Sequence, residues 1–264
     1  MRLICLLLVL VAWCAGPAFA VDPIAPGGRL RAVFLGGNPA QAAVDPKTGA
    51  MVGPAAALVV ALGRHLGVET ELRPIAGPPL VVGEVASGNA DIGFLAYEPS
   101  RVGVVEFSQT YALVQQTFIV RDDSPIRSVA DADLAGQRIA GTANDSITLY
   151  MRRTFRHANV LAVENEPEAN KRRLLAGEFD AFSGNRHRMT IWARELPGTR
   201  VLPDTLFDVP QAIIVAKGRP DVLAAINAFI DRARASGVIG NAIAAAGLIG
   251  VEVAPVGYRP KLAE

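Results

Sequence analysis

One short unit occurs twice and constrains the plan of the whole chain. Val85-Ala86-Ser87-Gly88-Asn89-Ala90-Asp91-Ile92 and Leu175-Ala176-Gly177-Glu178-Phe179-Asp180-Ala181 both read as a helix end, a glycine, two residues, an aspartate and an apolar strand. Glycine leaves a helix through the left-handed region without a Cβ penalty, and the aspartate caps the approach to the strand. Such a unit belongs to a layered α/β structure, and two copies about ninety residues apart imply two lobes of similar design. In open α/β sheets ligands sit beyond the carboxyl ends of strands, so polar residues just after Ile92 and Phe182 are the ones to follow.

The flanking patterns agree with that plan. Arg29 to Leu35 reads as a strand broken by Gly36-Gly37-Asn38-Pro39, and Asp45-Pro46-Lys47-Thr48-Gly49 as a turn. Pro54 to Leu66 has Ala57, Leu58, Ala61, Leu62 and His65 at helical spacing and ends at Gly67, after which Val68 to Leu72 resumes strand alternation. Thr117 to Val120, Gln137 to Ala140 and Ala212 to Ala216 are further strands. The polar turn Thr142-Ala143-Asn144-Asp145-Ser146 opens a helix over 147–155, with Asn144, Asp145 or Ser146 as its N-cap and free backbone N–H groups at its start. Pro220 to Ala235 and Val238 to Ala246 read as closing helices, the first with Ile226, Phe229 and Ile230 as its core stripe. No low-complexity linker separates the two units, so the chain is expected to cross between lobes through strands.

The first residues predict where the chain works. Met1-Arg2, the apolar run Leu3 to Cys14 and Ala18-Phe19-Ala20 form a secretory signal peptide over 1–20, cleaved after Ala20. The run is shorter than a spanning helix and is interrupted by Gly16-Pro17, which argues against a membrane anchor. Trp13, just before Cys14, argues against lipid attachment there. A free, soluble periplasmic protein is the expectation. Both cysteines lie in the leader, so disulfides, thiol catalysis and Cys-ligated metals are excluded from the mature chain. Cleavage also removes Arg2 and leaves acidic and basic side chains equal in number, so neither nucleic acid nor an anionic membrane surface is expected as a partner.

Several fragments recur in a telling order. They are Asp45-Pro46-Lys47-Thr48-Gly49 with Gly53 and its helix, Gly88-Asn89-Ala90-Asp91, and Pro99-Ser100-Arg101 followed by Val105-Glu106-Phe107-Ser108-Gln109-Thr110-Tyr111. Asp133-Leu134-Ala135-Gly136, Leu175 to Ala181, Ala212-Ile213-Ile214-Val215-Ala216-Lys217-Gly218 and Val222 to Asn227 complete the set. Each is weak alone; in order and spacing the chain resembles the bacterial extracellular solute-binding proteins of family 3, the periplasmic receptors of polar amino-acid ABC importers. The resemblance implies a two-lobed type II periplasmic binding protein in which each lobe is a mixed sheet flanked by helices and the lobes share a two-strand hinge. It implies lobe 1 over 21–113, lobe 2 over 114–211, a return to lobe 1 over 212–264, and a monomer that captures a small-molecule ligand by lobe closure and delivers it to an inner-membrane permease.

By the same resemblance Arg101 holds the α-carboxylate of the ligand, a task that suits a planar, always charged, bidentate guanidinium. The plain alternative is a surface ion pair with Glu98 or Glu106. Three positions depart from the amino-acid pattern. Ala96 stands where a hydroxyl is common, Asn185 where an acid holds the ligand ammonium, and Asn38-Pro39-Ala40-Gln41 where an aromatic follows the first strand. A neutral amide satisfies a cation less well than a carboxylate does. The carboxylate clamp is thus kept and the ammonium clamp weakened, which predicts a small polar solute with an anionic group, an amino acid or a related organic acid. Asp145 supplies the missing negative charge if its loop faces the cleft; otherwise Asn144, Asp145 and Ser146 are helix caps. Asn38 and Gln41 are further ligand-binding candidates, as are Phe94 and Tyr97, whose alternative is the core.

No constellation for chemistry competes with this reading. His65 lies on an apolar helix face and reads as a partly buried core residue, while His157 and His187 sit among arginines and read as solvated. No H-x-x-x-H pair, Gly-x-Ser-x-Gly elbow or Walker loop is present, so neither a cofactor nor a metal is expected. Relatives of this fold include dehydratases acting on prephenate-like acids, for which only Glu98, Asp145 and His187 are nominees as acid or base. A sensor domain is expected to run on into a membrane-crossing segment, and none precedes Glu264; a receptor that signals through a partner stays open. The expectation is a binding protein, not an enzyme.

Overall fold

The computed structural model describes residues 22–258, so the leader expected at 1–20, with both cysteines and the cleavage point, lies outside the described residues. The elements run β1 (Arg29–Leu35), β2 (Ala43–Val44), β3 (Met51–Val52), α1 (Pro54–Leu66), β4 (Glu69–Ile75), α2 (Pro78–Ala86), β5 (Ile92–Ala96) and β6 (Val105–Arg121). They continue through β7 (Arg138–Thr142), α3 (Ser146–Thr154), β8 (Asn159–Val163), α4 (Pro167–Leu175), β9 (Ala181–Asn185), α5 (Arg186–Glu195) and β10 (Thr199–Val201). The chain closes with β11 (Phe207–Ala216), α6 (Pro220–Ala235), α7 (Val238–Ala245) and β12 (Val251–Val253).

The strands of the main sheet lie in the order β4-β1-β5-β11-β6-β9-β7-β8, with β10 and β12 also paired to β6. β1 is parallel to β4 and β5, and β7 is parallel to β8 and β9, so each end of the sheet is built from β-α-β crossovers. Between them β11 and β6 run antiparallel to each other from Phe207↔Gln116 to Ala216↔Val105. β11 pairs with β5 through Gln211 to Ile214, and β6 pairs with β9 through Gln116 to Val120. These two strands therefore carry the chain from one half to the other, as expected in the absence of a linker.

The buried apolar residues fall into clusters that mark out two halves with two faces each. Leu30, Ala32 and Phe34 of β1 point to one face, where α1, α6 and α7 pack, and Val33 and Leu35 to the other, against Val81 and Val85 of α2. In the second half Ile139 faces Ile147 and Met151 of α3, and Ala140 faces Leu174 of α4 and Trp192 of α5. Strands buried on both faces read as apolar runs, which is why β1, β5 and the end of β11 were legible.

The repeated aspartate does more than cap a strand. The Asp91 carboxylate accepts from the Arg31 amide at 2.7 Å and from its guanidinium at 2.6 and 3.2 Å. Asp180 does the same with the Arg138 amide at 2.8 Å and guanidinium at 2.8 and 3.2 Å. Arg31 lies in β1 and Arg138 in β7, so each copy of the unit ties the strand that ends it to the first strand of its own half. Gly88 and Gly177, at φ 77° and 70°, leave their helices through the left-handed region.

Candidate functional site

The site lies where β5 and β9 end and the hinge strands β6 and β11 pass through the space between the halves. Asn38, Gln41, Ala96 and Arg101 reach it from one side, and Asp145, Ser146 and Asn185 from the other. Between these side chains the crevice has a free volume of about 20 Å³, room for a water molecule or two.

Arg101 is placed by a single turn of 3-10 helix, Pro99–Arg101, that folds the chain back after β5. Its guanidinium donates to the Ala96 carbonyl at 2.9 Å and, from the other Nη, to the Asn144 carbonyl at 2.6 Å. The side chain is 8% exposed and makes no ion pair with Glu98 or Glu106, so the surface-pair alternative is not realised. Burial pulls the Arg101 guanidinium down from its ordinary pKa, with the nearby Asp145 and Glu98 carboxylates acting against the shift. A guanidinium stays charged through such a shift, so the crevice holds a cation with hydrogen-bonding capacity directed across it.

On the facing side, Asn144 adopts φ 60°, a left-handed conformation that asparagine tolerates, and its carbonyl meets Arg101. Asp145 is the N-cap of α3 and accepts from the Ser146 amide at 2.8 Å. Its carboxylate also lies 3.9 Å from the Arg188 guanidinium of α5, which burial pulls down from its ordinary pKa while Asp145 opposes. One carboxylate thus stands near two buried arginines. Asn185 caps α5 by accepting from the Arg188 amide at 2.8 Å and donates to Asn38 Oδ1 at 3.1 Å. Gln41 donates to Gln211 Oε1 at 2.9 Å.

Contacts at the rims also join the halves. Arg153 of α3 pairs with Glu98 at 2.7 Å, and that carboxylate is only 2% exposed. Asn165 donates to the carbonyls of Ala76 at 2.9 Å and Gly36 at 3.3 Å.

Among the sequence candidates, Asn38, Gln41, Ala96, Arg101, Asp145, Ser146 and Asn185 converge on the crevice. Asn144 does not line the crevice but contributes its carbonyl to Arg101, and it borders a separate cavity with Ala76 and Glu164. Phe94 is placed in the core: fully buried in β5, it packs edge-on to Tyr111 with centroids 5.9 Å apart. An alternating strand sends Phe94 and Ala96 to the same face, but of these two only Ala96, at the strand's end, reaches the crevice. Tyr97 lies beside the crevice in a neighbouring cavity.

The histidines correct two expectations. His65 is exposed, its Nε2 at 2.9 Å from the Arg232 guanidinium in the last turn of α6, so its imidazole meets a charged side chain at the surface and not the core. His187 is half-buried with Nδ1 accepting from the Ile249 amide at 3.2 Å, and burial followed by Arg194 lowers its pKa. Gln116 and Gln211, on the two hinge strands, also line the crevice. Buried glutamines inside otherwise apolar strands were the signal for them. Among the described residues no group of acids and histidines could hold a metal ion, and no helix is long and apolar enough to cross a membrane.

The family model for bacterial extracellular solute-binding proteins, family 3, matches residues 30–244. The chain belongs to that family. Among curated relatives of this solute-binding protein, the glutamine-binding protein of Geobacillus stearothermophilus is 31% identical over 140 residues. That match spans 53% of this chain and 52% of the relative, so the chain spans about half the length of the curated relative it matches. Its fold is similar to that of the arginine-bound amino acid ABC transporter substrate-binding protein AbpA from Streptococcus pneumoniae, with TM-score 0.71, 21% identity and coverage of 83% of this chain and 94% of that one. It is also similar to an ancestral amino acid-binding protein described as a precursor of cyclohexadienyl dehydratase, with TM-score 0.70, 20% identity and coverage of 83% and 95%. The solute-binding protein is therefore a type II periplasmic binding protein in fold, a mixed α/β structure with helices flanking its sheet.

Proposed function

We propose that this solute-binding protein is the periplasmic receptor of an ABC importer and captures an amino acid or a related small carboxylate by lobe closure. The observation that carries the reading is the Arg101 guanidinium, buried between the halves and bridging to the Asn144 carbonyl. A carboxylate is a stronger acceptor than a backbone carbonyl, so a ligand anion can take over that donor without leaving it unsatisfied. We take 21–113 and 212–264 as lobe 1 and 114–211 as lobe 2, with the leader at 1–20 directing export of a monomer.

Closure follows from differential contact. Arg101, Asn38 and Gln41 reach the crevice from lobe 1, and Ser146, Asp145 and Asn185 from lobe 2, so a ligand touching both sets binds the closed state more tightly than the open one and shifts the population toward it. The permease then reads the closed shape. Of the two carboxylates near Arg101, Asp145 is engaged as the cap of α3 and Glu98 is paired with Arg153, which supports binding without turnover.

The test is a thermal-shift screen of residues 21–264 against amino acids, dicarboxylates, amines and sugars. A ligand at a hundred times its Kd is expected to stabilise the protein by about 2.7 kcal/mol. A shift with carboxylates and no product supports the receptor; conversion of the ligand, or a response to sugars or amines alone, overturns it.

A further inference from the structure

Beside the Arg101 crevice, and sharing Ser146 and Val209 with it, lies a cavity of about 440 Å³. That is within the range of pockets that hold small molecules, whereas the crevice itself has about 20 Å³ free. Its walls come from both halves and the hinge: Tyr97 follows β5, Tyr150 and Arg153 lie on α3, Phe207 opens β11, and Tyr258 lies after β12. Three of the chain's four tyrosines therefore line one cavity, all half-buried. Tyr150 and Phe207 stack with centroids 4.2 Å apart and an interplanar angle of 32°, and Tyr97 is braced edge-on by Phe107 at 5.1 Å. At its inner wall Glu98 and Arg153 neutralise each other at 2.7 Å, while the exposed Asp208 stands at its outer edge. The cavity offers aromatic faces and a guanidinium plane in place of a net charge at its inner wall, which is the chemistry that receives an aromatic ring.

We infer that the solute is an aryl-substituted carboxylate, its anionic group at Arg101 and its ring in the Tyr97–Tyr150–Phe207–Tyr258 chamber. The inference rests on the carboxylate reading of Arg101 for one end of the ligand and on the chamber alone for the other. Because Ser146 and Val209 border both spaces, a short chain between ring and carboxylate spans them. An amino acid with a small polar side chain leaves the chamber unfilled.

Three probes separate the two ends in calorimetry on residues 21–264: propionate, 3-phenylpropionate and 3-phenylpropan-1-ol, which has the ring and no carboxylate. The ring is expected to tighten 3-phenylpropionate over propionate at least tenfold. Tyr150→Leu with Phe207→Leu is expected to remove that gain and leave propionate binding unchanged, with thermal unfolding as the check on folding; Tyr97→Leu serves as a second variant should the double variant fail to fold. Arg101→Ala is expected to weaken both acids and leave the alcohol unaffected. If the ring adds no affinity, or its advantage survives loss of the aromatic pair, the inference is overturned. If Arg101→Ala leaves both acids unchanged while the aromatic variants still abolish the ring's advantage, the carboxylate reading falls and the chamber stands.

Discussion

Arg101 and Asn144 meet across the crevice at 2.6 Å, a guanidinium from the end of one half donating to a backbone carbonyl held in a left-handed turn of the other. The contact joins the two separately packed halves, and the donor is buried enough that its partner matters energetically.

Arg101→Ala is therefore expected to weaken binding of the tightest carboxylate found in the screen by about tenfold to a hundredfold, the value of a charge-assisted hydrogen bond of about 1.5–3 kcal/mol. Arg101→Lys is expected to recover little of that, because an ammonium lacks the fork that reaches both Ala96 and Asn144. Isothermal titration of both variants checks this, and unchanged affinity removes Arg101 from the site.

Removing Arg153 leaves the Glu98 carboxylate, 2% exposed, without its cation. An uncompensated buried charge is costly, and opening of the cleft hydrates it. Arg153→Ala is expected to shift the unliganded protein toward open forms and to weaken ligand binding by about tenfold, an effect of about 1.4 kcal/mol that is moderated by the partial exposure of Arg153. Small-angle scattering on the variant is expected to show a larger radius of gyration that returns to the native value with saturating ligand.

Asn185→Asp restores an acid at the position where the resemblance expects one. The aspartate caps α5 as well as asparagine does, so folding stability is expected to hold within about 0.5 kcal/mol. It cannot donate to Asn38, and that cross-cleft bond is lost. Affinity for α-amino acids is expected to rise by about tenfold through a charge-assisted contact with the ammonium, while affinity for the matching acids without an amino group stays level or falls. Paired titrations decide it; equal changes for both classes would sink the assignment of Asn185 to the ammonium side.

Asp180 makes stability depend on pH. Burial alone would raise its carboxyl, but the side-chain and backbone hydrogen bonds from Arg138 outweigh burial and hold it below the ordinary aspartate value of 3.8. A carboxyl depressed on folding contributes stability above its unfolded pKa and loses it as pH falls through the folded value. Asp180→Asn is expected to cost about 1–2 kcal/mol at pH 7, allowing for the exposure of Arg138, and less and less below about pH 4, where the aspartate of the unfolded chain takes up a proton before that of the folded protein. Urea unfolding of native and variant protein at pH 7 and pH 3 measures both; a deficit that is the same at the two pH values contradicts the ion pair as its source.

The repeated glycine-x-x-aspartate unit announced two α/β halves because its glycines need a left-handed exit that few other residues accept, and both took it. The strands buried on two faces and the helices α1, α6 and α7 were equally plain, since burial imposes a period on the sequence. β6 was legible only as Thr117 to Val120, although it runs from Val105 to Arg121. Its polar residues break the apolar pattern because each has its own polar role: Gln109 bonds to Asn227 of α6, Gln115 accepts from Arg186, and the buried Gln116 lines the crevice. Arg101 was legible through the residues around it, while Phe94, two positions before Ala96 on the same strand, looked like a pocket residue and belongs to the core.

By itself the sequence determined the α/β class, the doubled unit of the two-lobed plan and the absence of cysteine after residue 14, because these rest on local conformation and on residue type, while the resemblance pointed to Arg101. Only the tertiary structure decided which carboxylate Arg153 pairs with, which carbonyl Arg101 reaches, and that four aromatic rings distant in the chain line one chamber. Those outcomes depend on how two separately packed halves approach each other across a hinge, and no periodicity along the chain encodes a distance between residues that meet only there.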